Sequence, residues 1–226
     1  MTNTTVVFDL DGTLIDTAPD LVDALNAVLA REGLQPVPYE VARPMIGGGA
    51  RMMIERGLAA RGRTSAATEI NRLYGDFVAY YADHIADRSR PFPGLEDALD
   101  QLAGSGYRLT VCTNKLEWLS IRLLDALGLK ARFSAICGQD TFGIQKPDPA
   151  ILRQTILAGG GVPERAVMVG DSATDIATAR AAGIPVIAVD FGYTEAPVSS
   201  FAPDRVISHF ERLPAAVAAL VSGQFR

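Results

Sequence analysis

The run Val6-Val7-Phe8-Asp9-Leu10-Asp11-Gly12-Thr13-Leu14 carries an apolar, strand-like stretch onto two carboxylates. A buried strand gains no stability from acids at its end. Like charges this close raise each other's pKa unless a cation lies between them. A divalent metal held by oxygen ligands relieves that repulsion. The carboxyl end of a strand is also where open α/β sheets place their ligands. One aspartate could then attack an electrophile while its neighbour moves protons. The plain structural alternative is a polar turn with a glycine after a strand.

Polar groups recur at the ends of other apolar runs. Leu109-Thr110-Val111-Cys112 ends at Thr113-Asn114, and Ala166-Val167-Met168-Val169 ends at Gly170-Asp171-Ser172, with Asp175 following. Lys146, one of three lysines in the chain with Lys115 and Lys130, precedes a helix-like segment in Gln145-Lys146-Pro147-Asp148-Pro149. Each piece has a simpler reading. Thr113-Asn114 could be an N-cap, Lys146 an exposed loop lysine, and Asp171 or Asp175 a cap of the helix near 174. Together they supply what a phosphoryl group needs: a cation among carboxylates and hydroxyl donors.

The elements that must position these residues follow from periodicity. Residues 4–10 read as a strand, and 19–31, 50–62 and 67–86 as helices. Nothing between 16 and 87 reads as a strand. After Arg90-Pro91-Phe92-Pro93-Gly94 the pattern alternates: helix 95–104, strand 107–112, helix 116–127, strand 134–137, helix 148–158, strand 166–169, helix 174–182, strand 185–189 and a short strand near 205–207. Alternation implies parallel βαβ units with right-handed crossovers. The expected fold is α/β, a Rossmann-like parallel-sheet core of residues 1–15 and 88–226 with an inserted helical cap of residues 16–87. Hinges are expected near 14–17 and 87–91.

The bulk properties narrow the partners. A 48% hydrophobic content over 226 residues is ample for a folded core. The net charge of −5 argues against nucleic acid. Cys112 and Cys137 make neither a disulfide framework nor a metal cluster and read as buried thiols in a reducing compartment. No basic stretch precedes an apolar signal core, and no apolar run approaches the ~20 residues that cross a bilayer. A cytoplasmic protein with no membrane partner, monomeric or homodimeric, is expected.

The chain resembles the haloacid dehalogenase-like phosphohydrolases, whose four strand-tip motifs match Asp9-Leu-Asp11-Gly-Thr13, Thr113-Asn114, Lys146 and Gly170-Asp171-Ser172-Ala-Thr-Asp175. The resemblance implies that Asp9 is the nucleophile that becomes an aspartyl-phosphate, and that Asp11 protonates the leaving alkoxide and then activates water. It implies Mg²⁺ on the Asp9 carboxylate, the Asp11 carbonyl and Asp171. Phosphate would lie against Thr113 and Asn114, with Thr13 also at the substrate. Lys146 would offset charge and Asp175 would orient Lys146 or a metal-bound water. The partner is then a small phosphorylated metabolite.

Within that family, Asp11 points away from the dehalogenase branch, which lacks the second aspartate. Residues 1–114 contain no lysine, so the cap Schiff-base lysine of phosphonoacetaldehyde hydrolases is missing. Ile46-Gly47-Gly48-Gly49-Ala50-Arg51 looks like the substrate-facing loop of bacterial phosphoglycolate phosphatases, with Gly48, Gly49 and Arg51 as substrate contacts. Helix N-termini favour anions such as a small carboxylate; a simple hinge turn is the alternative. Asp16-Thr17-Ala18-Pro19-Asp20-Leu21, Thr113-Asn114-Lys115, Tyr80-Tyr81 and Phe191-Gly192-Tyr193 match the same subgroup. The expected activity is Mg²⁺-dependent hydrolysis of 2-phosphoglycolate. A β-phosphoglucomutase-type mutase remains an alternative, although Ala50 stands where its arginine is expected. A non-catalytic phosphate-binding module is the remote one. Met45, Met52, Met53, Phe77, Tyr80 and Tyr81 read as cap core.

Overall fold

The computed structural model describes residues 4–194 and 196–224. In chain order the elements are β1 (Thr5–Phe8), β2 (Ile15–Asp16), α1 (Ala18–Arg31), α2 (Tyr39–Ala42), α3 (Ala50–Ala59), α4 (Ala67–Asp83), β3 (Arg90–Pro91), α5 (Leu95–Gly104), β4 (Arg108–Cys112), α6 (Glu117–Ala126), β5 (Ala135–Cys137), α7 (Pro149–Ala158), β6 (Ala166–Gly170), α8 (Ala173–Ala182), β7 (Val186–Val189), β8 (Arg205–Ile207) and α9 (Leu213–Gln224). Short 3₁₀ turns join several of them.

Six strands form one sheet in the order β5-β4-β1-β6-β7-β8, every pair parallel. β1 lies between β4 and β6, with Phe8 level with Val111 and Val169. That register brings the tips of three strands side by side. The central strands β1, β4, β6 and β7 are buried on both faces, so they read as apolar runs rather than alternating ones, while the edge strands β5 and β8 are partly exposed. Val6, Phe8, Val111, Val169 and Ile187 are completely buried. This is the α/β parallel sheet expected from the alternating pattern.

Helices α1, α3 and α4 pack on one another. Leu21, Leu25, Ile54, Leu58, Leu73, Phe77 and Tyr81 fill the space between them. Truncating Phe77, which is 2% exposed, to Ala would cost about 3–5 kcal/mol in the usual range for a buried aromatic. Met52 departs from the cap-core expectation and is 40% exposed.

Several boundaries differ from expectation. The first strand ends at Phe8, so Asp9 lies just beyond it, tied to the sheet by its backbone N–H to the Val169 carbonyl at 2.9 Å. α3 stops at Ala59, three residues early, where the chain turns into Gly62 at φ +69°. α4 stops at Asp83 rather than 86. The short α2 and the β2–β3 ribbon were not expected. In the ribbon Ile15 pairs with Pro91 and Asp16 with Arg90, antiparallel. Two-residue strands carry no periodicity to read. The ribbon ties together the two segments that lead into and out of the 18–83 helices.

Candidate active site

The tips of β1, β4 and β6, with the segment before α7, converge on a buried group of charges. Asp9, Asp171, Asp175 and Lys146 are 7%, 4%, 0% and 3% exposed. Lys146 Nζ donates to Asp175 Oδ1 at 2.6 Å and lies 2.9 Å from Asp9 Oδ1. It is thus not the exposed loop lysine of the simpler reading. Its backbone is clamped by the Asn114 side chain: Asn114 Oδ1 accepts from Lys146 N–H at 2.8 Å, and Nδ2 donates to the Lys146 carbonyl at 3.1 Å. The Asn114 amide is therefore spent on joining the end of β4 to the segment before α7.

Asp175 serves two groups. Its Oδ1 holds Lys146, and its Oδ2 accepts from Ser172 N–H and Oγ in a capping box at the start of α8. The cap reading of Asp175 and the lysine-orienting reading are therefore both realised in its geometry. Thr113-Asn114 is not a cap of α6, whose N-cap is Leu116 with no side-chain bond.

Asp171 accepts from Thr13 Oγ1 at 3.0 Å and from Tyr193 N–H at 2.9 Å. Two glycines make room for it. Gly12, at φ +80°, would place a Cβ 2.6 Å from Asp171 Oδ2, and Gly192 would place one 2.3 Å from it. Thr13, expected at the substrate, is completely buried with its hydroxyl committed to Asp171. Its place is beneath the carboxylates rather than on the cavity wall.

Burial pushes the Asp9 carboxyl up to about 6 despite the neighbouring Lys146 ammonium. Burial, then the charges of Asp175 and Asp9, pushes Asp171 up to about 8 against the bonds from Tyr193 and Thr13. Burial pulls Lys146 down, but the charges of Asp175 and Asp9 outweigh it and hold the ammonium above its ordinary value. One lysine does not balance three buried carboxylates. Ligand oxygens of Asp9, Asp171 and Asp175 come within 4.8 Å of one another. Asp9 Oδ1 accepts no aligned hydrogen bond among the described residues. A hard, oxygen-seeking divalent cation fits this donor set.

A carboxyl whose pKa is raised by folding makes the fold lose stability as pH rises. The loss here runs from the ordinary carboxylate range, near pH 4, through about 6 and about 8 for Asp9 and Asp171. A cation held among these carboxylates would remove that loss. Mg²⁺ is expected to raise the melting temperature of metal-free protein more at about pH 8.5 than at about pH 5.5, by roughly 2–4 °C for each kcal/mol relieved. Differential scanning calorimetry at both pH values tests this; an equal shift at both would contradict it.

A cavity lies between the strand tips and the helices. Asp9, Asp11, Thr113, Asn114 and Lys115 line it from the sheet side. Gly47, Gly49, Ala50, Tyr74, Phe77 and Tyr81 line it from the helical side. Asp11 faces it with both oxygens engaged: Oδ1 accepts from Thr17 Oγ1 at 2.7 Å and Oδ2 from Lys115 Nζ at 2.8 Å. Tyr193 Oη accepts from the N–H groups of Thr17 and Ala18 at 2.7 and 3.0 Å and donates to Asp16 at 2.7 Å, which fixes the entry to α1.

Two expected cap contacts turn away. Gly48 packs on Met52, where a Cβ would meet Sδ at 2.3 Å, and it does not line the cavity. Arg51 is exposed, bonded to Asn71 Oδ1 and seated over the Tyr74 ring at 4.4 Å. As the second residue of α3 it is drawn to α4 rather than inward. Gly49, the N-cap of α3 at φ +85°, does line the cavity. Lys115 was not among the expected site residues. Its rarity and its place directly after Thr113-Asn114 were the available signals, but its direction was not.

Comparison with known proteins identifies the family to which the chain belongs. The family described as Haloacid dehalogenase-like hydrolase matches residues 6–189. The chain is 53% identical over 213 residues to a phosphoglycolate phosphatase of Mesorhizobium japonicum, covering 94% of each chain. It is 47% identical to one of Caulobacter vibrioides, covering 96% of this chain and 92% of that one. A crystal structure of a predicted phosphoglycolate phosphatase from Haemophilus somnus superposes with a TM-score of 0.88 at 29% identity, over 96% of this chain and 99% of that one. No helix among the described residues is long and apolar enough to cross a membrane. Strand tips, buried charges and sequence similarity together make this chain a member of the haloacid dehalogenase-like hydrolase family.

Proposed function

We propose that the chain is a Mg²⁺-dependent phosphatase of small phosphomonoesters, with 2-phosphoglycolate as the preferred substrate. The observation that carries the reading is the pairing of Asp9 and Asp11 on one cavity wall, with Asp9 Oδ1 lacking an aligned hydrogen bond and a buried lysine beside each. Asp9 attacks phosphorus in line, the bond to the ester oxygen breaks, and an aspartyl-phosphate forms. Asp11 gives its proton to the departing alkoxide. It then takes one from the water that attacks phosphorus and returns Asp9 to a carboxylate. Thr113 Oγ1 and the Asn114 N–H hold phosphoryl oxygens, and Lys146, oriented by Asp175, offsets the charge that gathers there.

The Asp9 and Asp171 carboxylates and the Asp11 carbonyl would hold the metal. Bound there, Mg²⁺ supplies the charge neutralisation that lets a carboxylate approach a phosphate. Two features favour a small carboxylated substrate. The N-terminus of α3, at Gly49 and Ala50, opens onto the cavity and suits an anion. The outward turn of Arg51 leaves no arginine of the 46–51 loop on the cavity to grip the second phosphate of a mutase substrate.

The test is phosphate release from 2-phosphoglycolate, sugar 1- and 6-phosphates and nucleoside monophosphates, with Mg²⁺ and with EDTA. Release that needs Mg²⁺ and favours 2-phosphoglycolate is the expected result. Isomerisation of a sugar phosphate without net release would replace this reading with the mutase.

A further inference from the structure

The mechanism above leaves two buried polar groups unexplained. Lys115 has a side chain only 5% exposed. Besides its bond to Asp11 Oδ2, its ammonium sits 4.5 Å over the Tyr81 ring. Tyr81 is 1% exposed, and its hydroxyl has no hydrogen-bond partner among the described residues. A buried phenol normally finds a partner, and leaving one unpaired is costly. Both side chains line the cavity, one from the end of β4 and the other from the last turn of α4. The start of α3 lines the same cavity, where a Cβ on Gly49 would lie 3.7 Å from the carbonyl of Asn114, the residue before Lys115. An ammonium from the sheet side thus faces, across one cavity, an unmatched O–H and the amide end of a ten-residue helix from the helical side.

We infer that Lys115 and Tyr81 form the specificity end of the cavity and take the carboxylate of the substrate's two-carbon tail. Lys115 exchanges the Asp11 carboxylate for the substrate's, and the Tyr81 hydroxyl donates to the same group. In 2-phosphoglycolate the carboxylate is one carbon from the ester oxygen, so the groups that read the tail must adjoin the group that protonates the leaving oxygen. Lys115, 2.8 Å from Asp11, meets that requirement. The exchange also releases Asp11 Oδ2 from the ammonium, leaving that oxygen free to face the leaving oxygen. Esters without an anionic group at that carbon leave Lys115 on Asp11 and Tyr81 unpaired, so they are selected against.

This rests on the phosphatase reading, and the experiment separates the two. kcat/KM is measured on 2-phosphoglycolate and on ethyl phosphate, its counterpart without the carboxylate, for the wild type, Lys115→Met and Tyr81→Phe. The wild type is expected to prefer the carboxylated ester strongly. The preference should fall about thirtyfold in Lys115→Met and several-fold in Tyr81→Phe, mainly through KM for 2-phosphoglycolate, the size of a lost charge-assisted and a lost neutral hydrogen bond. A Lys115 that only positions Asp11 would slow both esters alike, leave the ratio unchanged and overturn the proposal. Should Lys115→Met not fold, Tyr81→Phe and the wild-type ratio still decide: hydrolysis of both esters without tail preference overturns it. Absence of Mg²⁺-dependent release from every ester defeats the phosphatase reading, and this proposal with it.

Discussion

Asp9→Asn is expected to lower phosphate release by at least about ten-thousandfold, because the attacking oxygen is replaced by an amide that cannot form the acyl-phosphate. The same substitution should make the metal-free protein more stable. Folding holds the Asp9 proton up to about 6, so above that pH the folded state carries a buried charge that the unfolded chain holds at less cost. An uncharged Asn removes that term, worth on the order of 2 kcal/mol. Melting temperature and turnover should therefore move in opposite directions. Retained turnover would remove Asp9 from the reaction, and a loss of stability at about pH 8 would contradict the electrostatic account.

Lys146→Met is expected to damage both properties. The ammonium is the buried countercharge shared by Asp175, at 2.6 Å, and Asp9, at 2.9 Å. Its removal leaves carboxylates uncompensated in the interior, which costs about 3–5 kcal/mol where one partner of a buried pair is deleted. Activity should fall by about a hundred- to a thousandfold, the range for a lost charge-stabilising donor. Methionine keeps the stem's volume, so a cavity does not account for the effect. Added to Asp9→Asn, the substitution should cost less than it does alone, because the two groups are coupled. Thermal denaturation of the four proteins tests this; additive effects would show that Lys146 acts elsewhere.

Much of the site was legible because its chemistry sits at strand ends. An apolar run that stops on Asp9, on Thr113-Asn114 or on Asp171 declares both its own depth and the place where its tip must lie. Parallel pairing of β1 with β4 and β6 then sets those tips side by side. What stayed hidden depends on directions that no local pattern encodes. Thr13 looked like a substrate contact, but its hydroxyl turns to Asp171, a residue from the other half of the chain. Arg51 looked inward until α4 supplied Asn71 and Tyr74 to hold it out. Lys115 stood in plain view beside a motif, yet its partners Asp11 and Tyr81 come from two distant segments. The β2–β3 ribbon is four residues paired through their backbones across the two linkers, too short to leave a periodic mark on the sequence.

The central claim is that phosphate passes through Asp9 rather than directly to water, and the configuration at phosphorus tests it most directly. An isotopically chiral 2-phosphoglycolate transferred to an alcohol acceptor reports the number of in-line displacements, because each one inverts phosphorus. Attack by Asp9 followed by attack on the aspartyl-phosphate makes two, so the account predicts net retention. Net inversion would mean a single direct displacement and would contradict it.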